Sequence, residues 1–325
     1  LSSNLAHASK PSILPKERYS TNRGSPHSRE LRMDMPIPIG IAAGVNKKAT
    51  HFHSPLLQLV AHVTYGSYTL TFEPGNPEPN ADFSDKTGAG GNCIKLRNDG
   101  LAWLLATELH QLEELHANSD AALGISFAPR ETGEVRTICE RVATHIAEYD
   151  TTVNYWEFNG SCPNHQARSD IAILSQDVDA LGTFLAESEA LQANKALKIA
   201  PRTATETLRA TVELCGEHGF SMLVSGNTFK GRFTDYGLKP LHVEEGGISG
   251  RPLFEYARKQ ADVLRDLIDR YNPRLHLRVG GGIQTVEDVM LMKETGADSL
   301  EVASLLYFKN ASVIRNLITS AALQS

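Results

Sequence analysis

Eight short apolar runs recur between Ile39 and Ala303, and most intervals between them carry apolar residues at helical spacing. The runs are IGIAA (39–43), HVTY (62–65), LGISF (123–127), NYWEF (154–158), ALKIA (196–200), MLVSG (222–226), HLRV (276–279) and SLEVA (299–303). Helical spacing marks LAWLLATELHQLEELH, EVRTICERVATHIAEY, TATETLRATVELCGEHG and LFEYARKQADVLRDLIDRY. Parallel strands need a long crossover, and a helix supplies it, so this alternation predicts a parallel α/β sheet. Eight repeats predict a closed (β/α)8 TIM barrel over residues 36–325. An open doubly wound sheet is the alternative, because periodicity alone does not say whether the sheet closes.

Residues 1–35 break this pattern. They are rich in Ser, Pro, Lys and Arg and lack hydrophobic periodicity, which predicts an extended polar N-terminal arm. The basic, acid-poor composition also suits the remnant of an organelle-targeting segment, although Pro11, Pro15 and Pro26 interrupt an amphipathic helix. The 325 residues are 41% hydrophobic and 22% charged, and no apolar run approaches the roughly 18 residues of a membrane span, so a soluble globular chain is expected. A net charge of -6 argues against a nucleic-acid partner. The four cysteines, Cys93, Cys139, Cys162 and Cys215, form no C-x-x-C pair, and the twelve histidines are scattered. This predicts free thiols, no metal site and a reducing, cytoplasmic setting.

Polar and glycine-rich segments follow the apolar runs: AAGVNKK, GSYTLTFEPGNPEPN, NGSCPN, GNTF, GGGIQT and ASLL. Any one of them could be a turn or a helix cap. Together they fall where a barrel of this type does its chemistry, at the C-terminal ends of the strands. In RVGGGIQTVED, a strand, Gly281-Gly282 and a helix start follow one another, which leaves backbone N–H groups to face an anion. With EVASLL after the next strand, this suggests a phosphate grip and hence a phosphorylated cofactor.

From about Ile37 to about Leu317 the chain resembles the dihydroorotate dehydrogenase family of FMN-dependent (β/α)8 barrels. IGIAAGVNKK is similar to the family's first flavin segment, GSYTLTFEPGNPEPN to its Gly-Ser-x-Thr segment ending in Gly-Asn-Pro-x-Pro, and NGSCPN to its catalytic loop. LKIAP, SGNTF, GGISGRPL and GGIQTVEDVMLMKETGAD follow in the family's order. The resemblance implies FMN and oxidation of dihydroorotate to orotate, in pyrimidine biosynthesis, with Cys162 as base and hydride transfer to flavin N5. It implies substrate contacts from Asn92, Asn159, Asn164 and Asn227, whose carboxamides both donate and accept towards an amide-rich ring. It implies flavin contacts from Ala43, Gly44, Lys47, Ser67, Asn159, Lys198 and Thr228, and a phosphate side built from Gly250, Gly281, Gly282 and Ser304. An isolated lysine in the apolar run ALKIAP would otherwise be costly inside a barrel, which strengthens Lys198 as a cation facing the flavin.

Two departures bear on function. A cysteine base matches the soluble class of the family, whereas a lysine in AAGVNKK matches the quinone-reducing class, and the polar arm does not resemble that class's hydrophobic extension. The electron acceptor is therefore open, and a homodimer is allowed. In GNCIKLRNDG, Lys95 stands where the family usually has glycine. Its side chain either narrows the substrate pocket, brings a new cation to it, or points outward. The alternatives are accordingly an FMN barrel acting on another dihydropyrimidine or cyclic amide, a dihydrouridine synthase, and a catalytically silent flavin-binding protein.

Overall fold

The computed structural model describes residues 36–51, 54–160, 178–201, 203–309 and 311–323. The arm at 1–35 and the loop residues Cys162 and Asn164 lie outside the described residues.

The described residues form twelve strands: β1 (Ile39–Ile41), β2 (His62–Tyr68), β3 (Ala81–Ser84), β4 (Ala89–Asn92), β5 (Ala122–Phe127), β6 (Tyr155–Asn159), β7 (Lys195–Ile199), β8 (Phe220–Ser225), β9 (Phe229–Arg232), β10 (Glu245–Gly250), β11 (His276–Gly280) and β12 (Ser299–Val302). Eight of them close into a barrel in the order β1-β12-β11-β8-β7-β6-β5-β2. Their pairings are parallel throughout. These eight are the eight apolar runs of the sequence, so the sheet closes and the open doubly wound alternative falls.

The other four form an antiparallel sheet in the order β3-β4-β10-β9. Sequence periodicity did not predict this sheet. Its strands include AGGN, FKGR and EGGISG, in which glycine takes the place of the alternating side chains that mark a strand. It has its own apolar core, including Phe229, Phe233, Leu238 and Ile248.

The main core lies between the barrel and its helices. On the helix Thr132–Glu148, Val135, Ile138, Cys139 and Val142 fall at i, i+3, i+4 and i+7 and are buried. Phe127 stacks on Trp156 with ring centroids 5.7 Å apart, and Phe158 meets Phe184 and Phe220 edge-on. Each fully buried side chain of this size contributes about 1.5–3 kcal/mol of transfer free energy.

The barrel interior is polar. Tyr155 Oη lies 2.7 Å from Thr64 Oγ1 and accepts from Arg278 Nη1 at 2.7 Å. Lys198 Nζ donates to Glu301 Oε1 at 2.6 Å. These bonds join strands that are not neighbours in the sheet, so they cross the interior. Glycines make room for the bulky members. A Cβ at Gly40 would lie 2.3 Å from the His62 ring, one at Gly124 2.2 Å from the Tyr155 ring, and one at Gly280 2.6 Å from Glu301 Cγ. An apolar set, Ala122, Tyr155, Ala196, Met222 and Val224, packs among them.

Candidate active site

The C-terminal ends of the barrel strands and the small sheet enclose a cleft of about 1200 Å³, counting space open to solvent. Ala43, Gly44 and Lys47 reach it after β1, Ser67 from β2, Asn159 from β6, Lys198 from β7, and Asn227 and Thr228 after β8. Gly281 and Gly282 reach it after β11, Ser304 after β12, and Asn92 and Gly250 from β4 and β10 of the small sheet. Every candidate within the described residues therefore lines this cleft, with one exception.

The exception is Lys95. Its neighbours Ile94 and Leu96 line the cleft and Lys95 does not. Lys95 and Leu96 have φ of 59° and 54°, the left-handed region that glycine occupies without cost. The glycine that the family resemblance leads one to expect at 95 thus corresponds to a backbone requirement, and the lysine meets it in a strained conformation with its side chain off the cleft lining.

Two carboxamides and two hydroxyls are linked across the floor. Asn227 Nδ2 donates to Asn159 Oδ1 at 3.0 Å, and Asn159 Nδ2 donates to Ser67 Oγ at 3.2 Å. Ser67 Oγ lies 2.8 Å from Ser126 Oγ, below the cleft in β5. Asn227 Oδ1 also accepts from the Thr228 backbone N–H at 2.8 Å, which fixes its orientation. Asn92 joins them on the cleft wall. Lys47 donates from Nζ to the Arg97 carbonyl, and Tyr68 Oη donates to the Lys47 carbonyl at 2.6 Å, tying the segment after β1 to the loop that carries Lys95.

Beneath the floor sits a buried charge cluster. The Lys198 and Glu301 side chains are 5% and 2% exposed. Burial alone would lower the Lys198 ammonium, but Glu157 and Glu301 outweigh it and hold its pKa above the ordinary lysine value. Burial pushes the Glu157 carboxyl above the usual range, with Lys198 pulling against the rise and Glu301 adding to it. Glu157 and Glu301 were not anticipated. The signal that marked Lys198, one charge inside an apolar run, is equally present in NYWEF and SLEVA.

The residues fit a ligand that combines an anion with a flat polar ring. At Gly282 φ is 72°, and a Cβ there would lie 2.6 Å from the backbone nitrogen of Phe254. The segment is thereby stripped of side chains and offers peptide backbone to the cleft. The following helix, Val286–Glu294, is fixed by a capping box between Thr285 and Asp288. Lys198 offers a buried cation, and the carboxamides offer paired donors and acceptors. Among the described residues, no group of three His, Cys, Asp or Glu side chains is arranged to hold a metal, and no helix is long and apolar enough to cross a membrane.

Comparison with known proteins agrees with this geometry. The family described as dihydroorotate dehydrogenase matches residues 29–322. A protein of Mycobacterium sp. (strain KMS) named dihydroorotate dehydrogenase (quinone) is 30% identical over 270 residues, covering 82% of this chain and 71% of its own. One of the same name from Halorhodospira halophila is 29% identical over 303 residues, covering 90% of this chain and 85% of its own. The DHODH of Eimeria tenella, in a crystal structure with ferulenol, shares the fold with a TM-score of 0.71 at 20% identity, over 93% of this chain and 85% of that one. A match along nearly the whole barrel, on a chain whose strand ends converge as described, shows that it belongs to the dihydroorotate dehydrogenase family of oxidoreductases.

Proposed function

We propose that this chain binds FMN and oxidises dihydroorotate to orotate in pyrimidine synthesis. The observation that carries the reading is the convergence of Asn92, Asn159 and Asn227 with Lys198 in one cleft, from strands far apart in sequence. The chemistry supplied by FMN, when bound, is acceptance of the hydride that leaves C6 of the substrate. The protein's part is to hold, orient and deprotonate. Gly250, Gly281, Gly282 and Ser304 form the side suited to the phosphate, with backbone N–H groups as donors. The carboxamides present both donors and acceptors to the cyclic amide of the substrate, and Asn164 is proposed to join them. Lys47 and Lys198 supply positive charge where negative charge develops. Cys162 Sγ, as thiolate, is proposed to take the C5 proton. Lys95 lies off the cleft lining, so it gives no reason to invoke a substrate of different charge.

A quinone is proposed as the electron acceptor, on the strength of the relatives named above. The cleft rim carries an apolar surface suited to it: Tyr307 and Phe308 line the cleft, and Phe308 stacks on Phe83 with centroids 5.1 Å apart.

The test is the visible spectrum of the purified, FMN-supplemented protein before and after anaerobic addition of dihydroorotate. A flavin band that bleaches is expected, and Cys162→Ala is expected to slow the bleaching by about a hundredfold or more. A flavin band untouched by dihydroorotate in folded protein would refute the substrate. Absence of any flavin band would refute the cofactor.

A further inference from the structure

Glu157 lies at the middle of β6, two residues before Asn159 and on the same face of the strand, and it is 0% exposed. Neither of its carboxylate oxygens is hydrogen-bonded to a cation among the described residues; the hydroxyl that approaches it is Ser126, its register partner on β5, which is also bonded to Ser67. The charged and titratable groups around Glu157 come from several strands: Lys198 of β7, Glu301 of β12, Arg278 of β11 and, on its own strand, Tyr155. His62 of β2 and His276 of β11 lie beyond, around Arg278 and Lys198. Interior positions on β8 are Met222 and Val224, and on β1 Gly40, none of which is charged.

With Glu157 and Glu301 ionised, their two negative charges balance Lys198 and Arg278. Lys198 is the member that lines the cleft, together with Glu301, and it is already committed to Glu301 at 2.6 Å. Hydride acceptance by a flavin held in the cleft would add one negative charge beside this neutral set, whose own members are almost fully buried. Glu301 is held by Lys198, so Glu157, which is bonded to neither cation, is the carboxylate that can absorb the imbalance.

We propose that Glu157 takes up one proton from solvent when the flavin is reduced, so that the barrel stores a proton beneath its cofactor and releases it on reoxidation. This rests on the assignment of a flavin to the cleft. The balance is one hydride from substrate to flavin and one proton from solvent to a Glu157 oxygen, with no net change in the charge of flavin and floor together. A route exists: Ser67 lines the cleft and its Oγ is 2.8 Å from Ser126 Oγ, which adjoins Glu157. Each hydroxyl can accept one proton while passing on its own. Glu157 acts through the charge balance with Lys198 and Glu301, without touching the flavin.

The experiment is spectroelectrochemical titration of the FMN holoenzyme across pH, for the wild type and for Glu157→Gln. The wild type should take up two protons per two electrons over a pH window in which the variant takes up one. The absorption of the reduced flavin, read in the same cell, scores the flavin's own N1 proton separately. Because Glu157→Gln removes a buried charge and could fail to hold FMN, the wild type is also followed by redox-difference infrared spectroscopy. A protonated-carboxyl C=O band should appear on reduction and shift in heavy water. Flavin present with equal proton uptake in both proteins, or no such band in the wild type, would overturn the proposal alone. Absence of bound flavin would overturn it together with the cofactor assignment.

Discussion

At the scale of single residues, the interior glycines make the most direct prediction. Gly40→Ala would drive a Cβ to within 2.3 Å of the ring of His62, which is buried. A loss of about 1–3 kcal/mol is expected from overpacking, measurable by urea denaturation. Lys95→Gly should act in the other direction. Relief of a left-handed lysine is worth about 1–2 kcal/mol and the added flexibility of the unfolded chain costs about 0.5–1 kcal/mol, leaving a small net gain. Because Lys95 lies off the cleft lining, the rate of flavin bleaching by dihydroorotate should be unchanged in that variant. A tenfold slower rate would return Lys95 to the substrate site. The polar and glycine part of the cleft lining was legible at this scale, since Asn, Lys and Gly after apolar runs carry their chemistry openly, whereas its apolar part, such as Tyr307 and Phe308, was not. Glu157 was missed although NYWEF carries the same lone charge in an apolar run as ALKIAP, and its place facing the barrel axis became evident only once the sheet was seen to close.

At the scale of elements, the eight barrel strands were readable because each buries apolar residues against the helices, and that outer face repeats in the sequence. The small sheet was not readable, although it supplies Asn92 and Gly250 to the cleft. Its strands are short and glycine-rich, and contacts with other elements hold them in place. One such contact is Phe83 of β3 stacked on Phe308 of the helix Ser304–Phe308, at an interplanar angle of 23°. A double-mutant cycle of Phe83→Ala and Phe308→Ala should show a coupling of about 0.5–1.5 kcal/mol in stability. Coupling near zero would mean that the sheet is positioned by its backbone pairing and its own core.

At the scale of the whole molecule, buried titratable groups make stability depend on pH from both sides. Burial, and then Arg278, hold His62 well below the ordinary histidine value, and burial holds His116 below it. The unfolded chain therefore binds protons that the folded chain refuses as pH falls below about 6.5. Their contribution is present above that value and lost beneath it. Glu157 has the opposite sign. Its raised pKa means that the folded chain holds a proton more tightly than the unfolded one, so its contribution is present at low pH and lost as pH rises above the ordinary carboxyl range, about 4.3. Thermal midpoints should therefore fall between pH 7 and pH 5.5 by less in His116→Gln than in the wild type. The difference in stability between Glu157→Gln and the wild type should shift in favour of the variant as pH increases. Parallel curves for the wild type and the glutamine variant would show that Glu157 titrates alike in folded and unfolded chains.

The pairing of interior glycines with bulky partners has a consequence for descent. Gly40 with His62, Gly124 with Tyr155 and Gly280 with Glu301 are each one space shared by two residues. Enlarging the small member alone makes a collision, and shrinking the large member alone leaves a void. Such pairs can drift only together, so across the relatives of this chain a bulky residue at position 40 should arrive with a small one at 62.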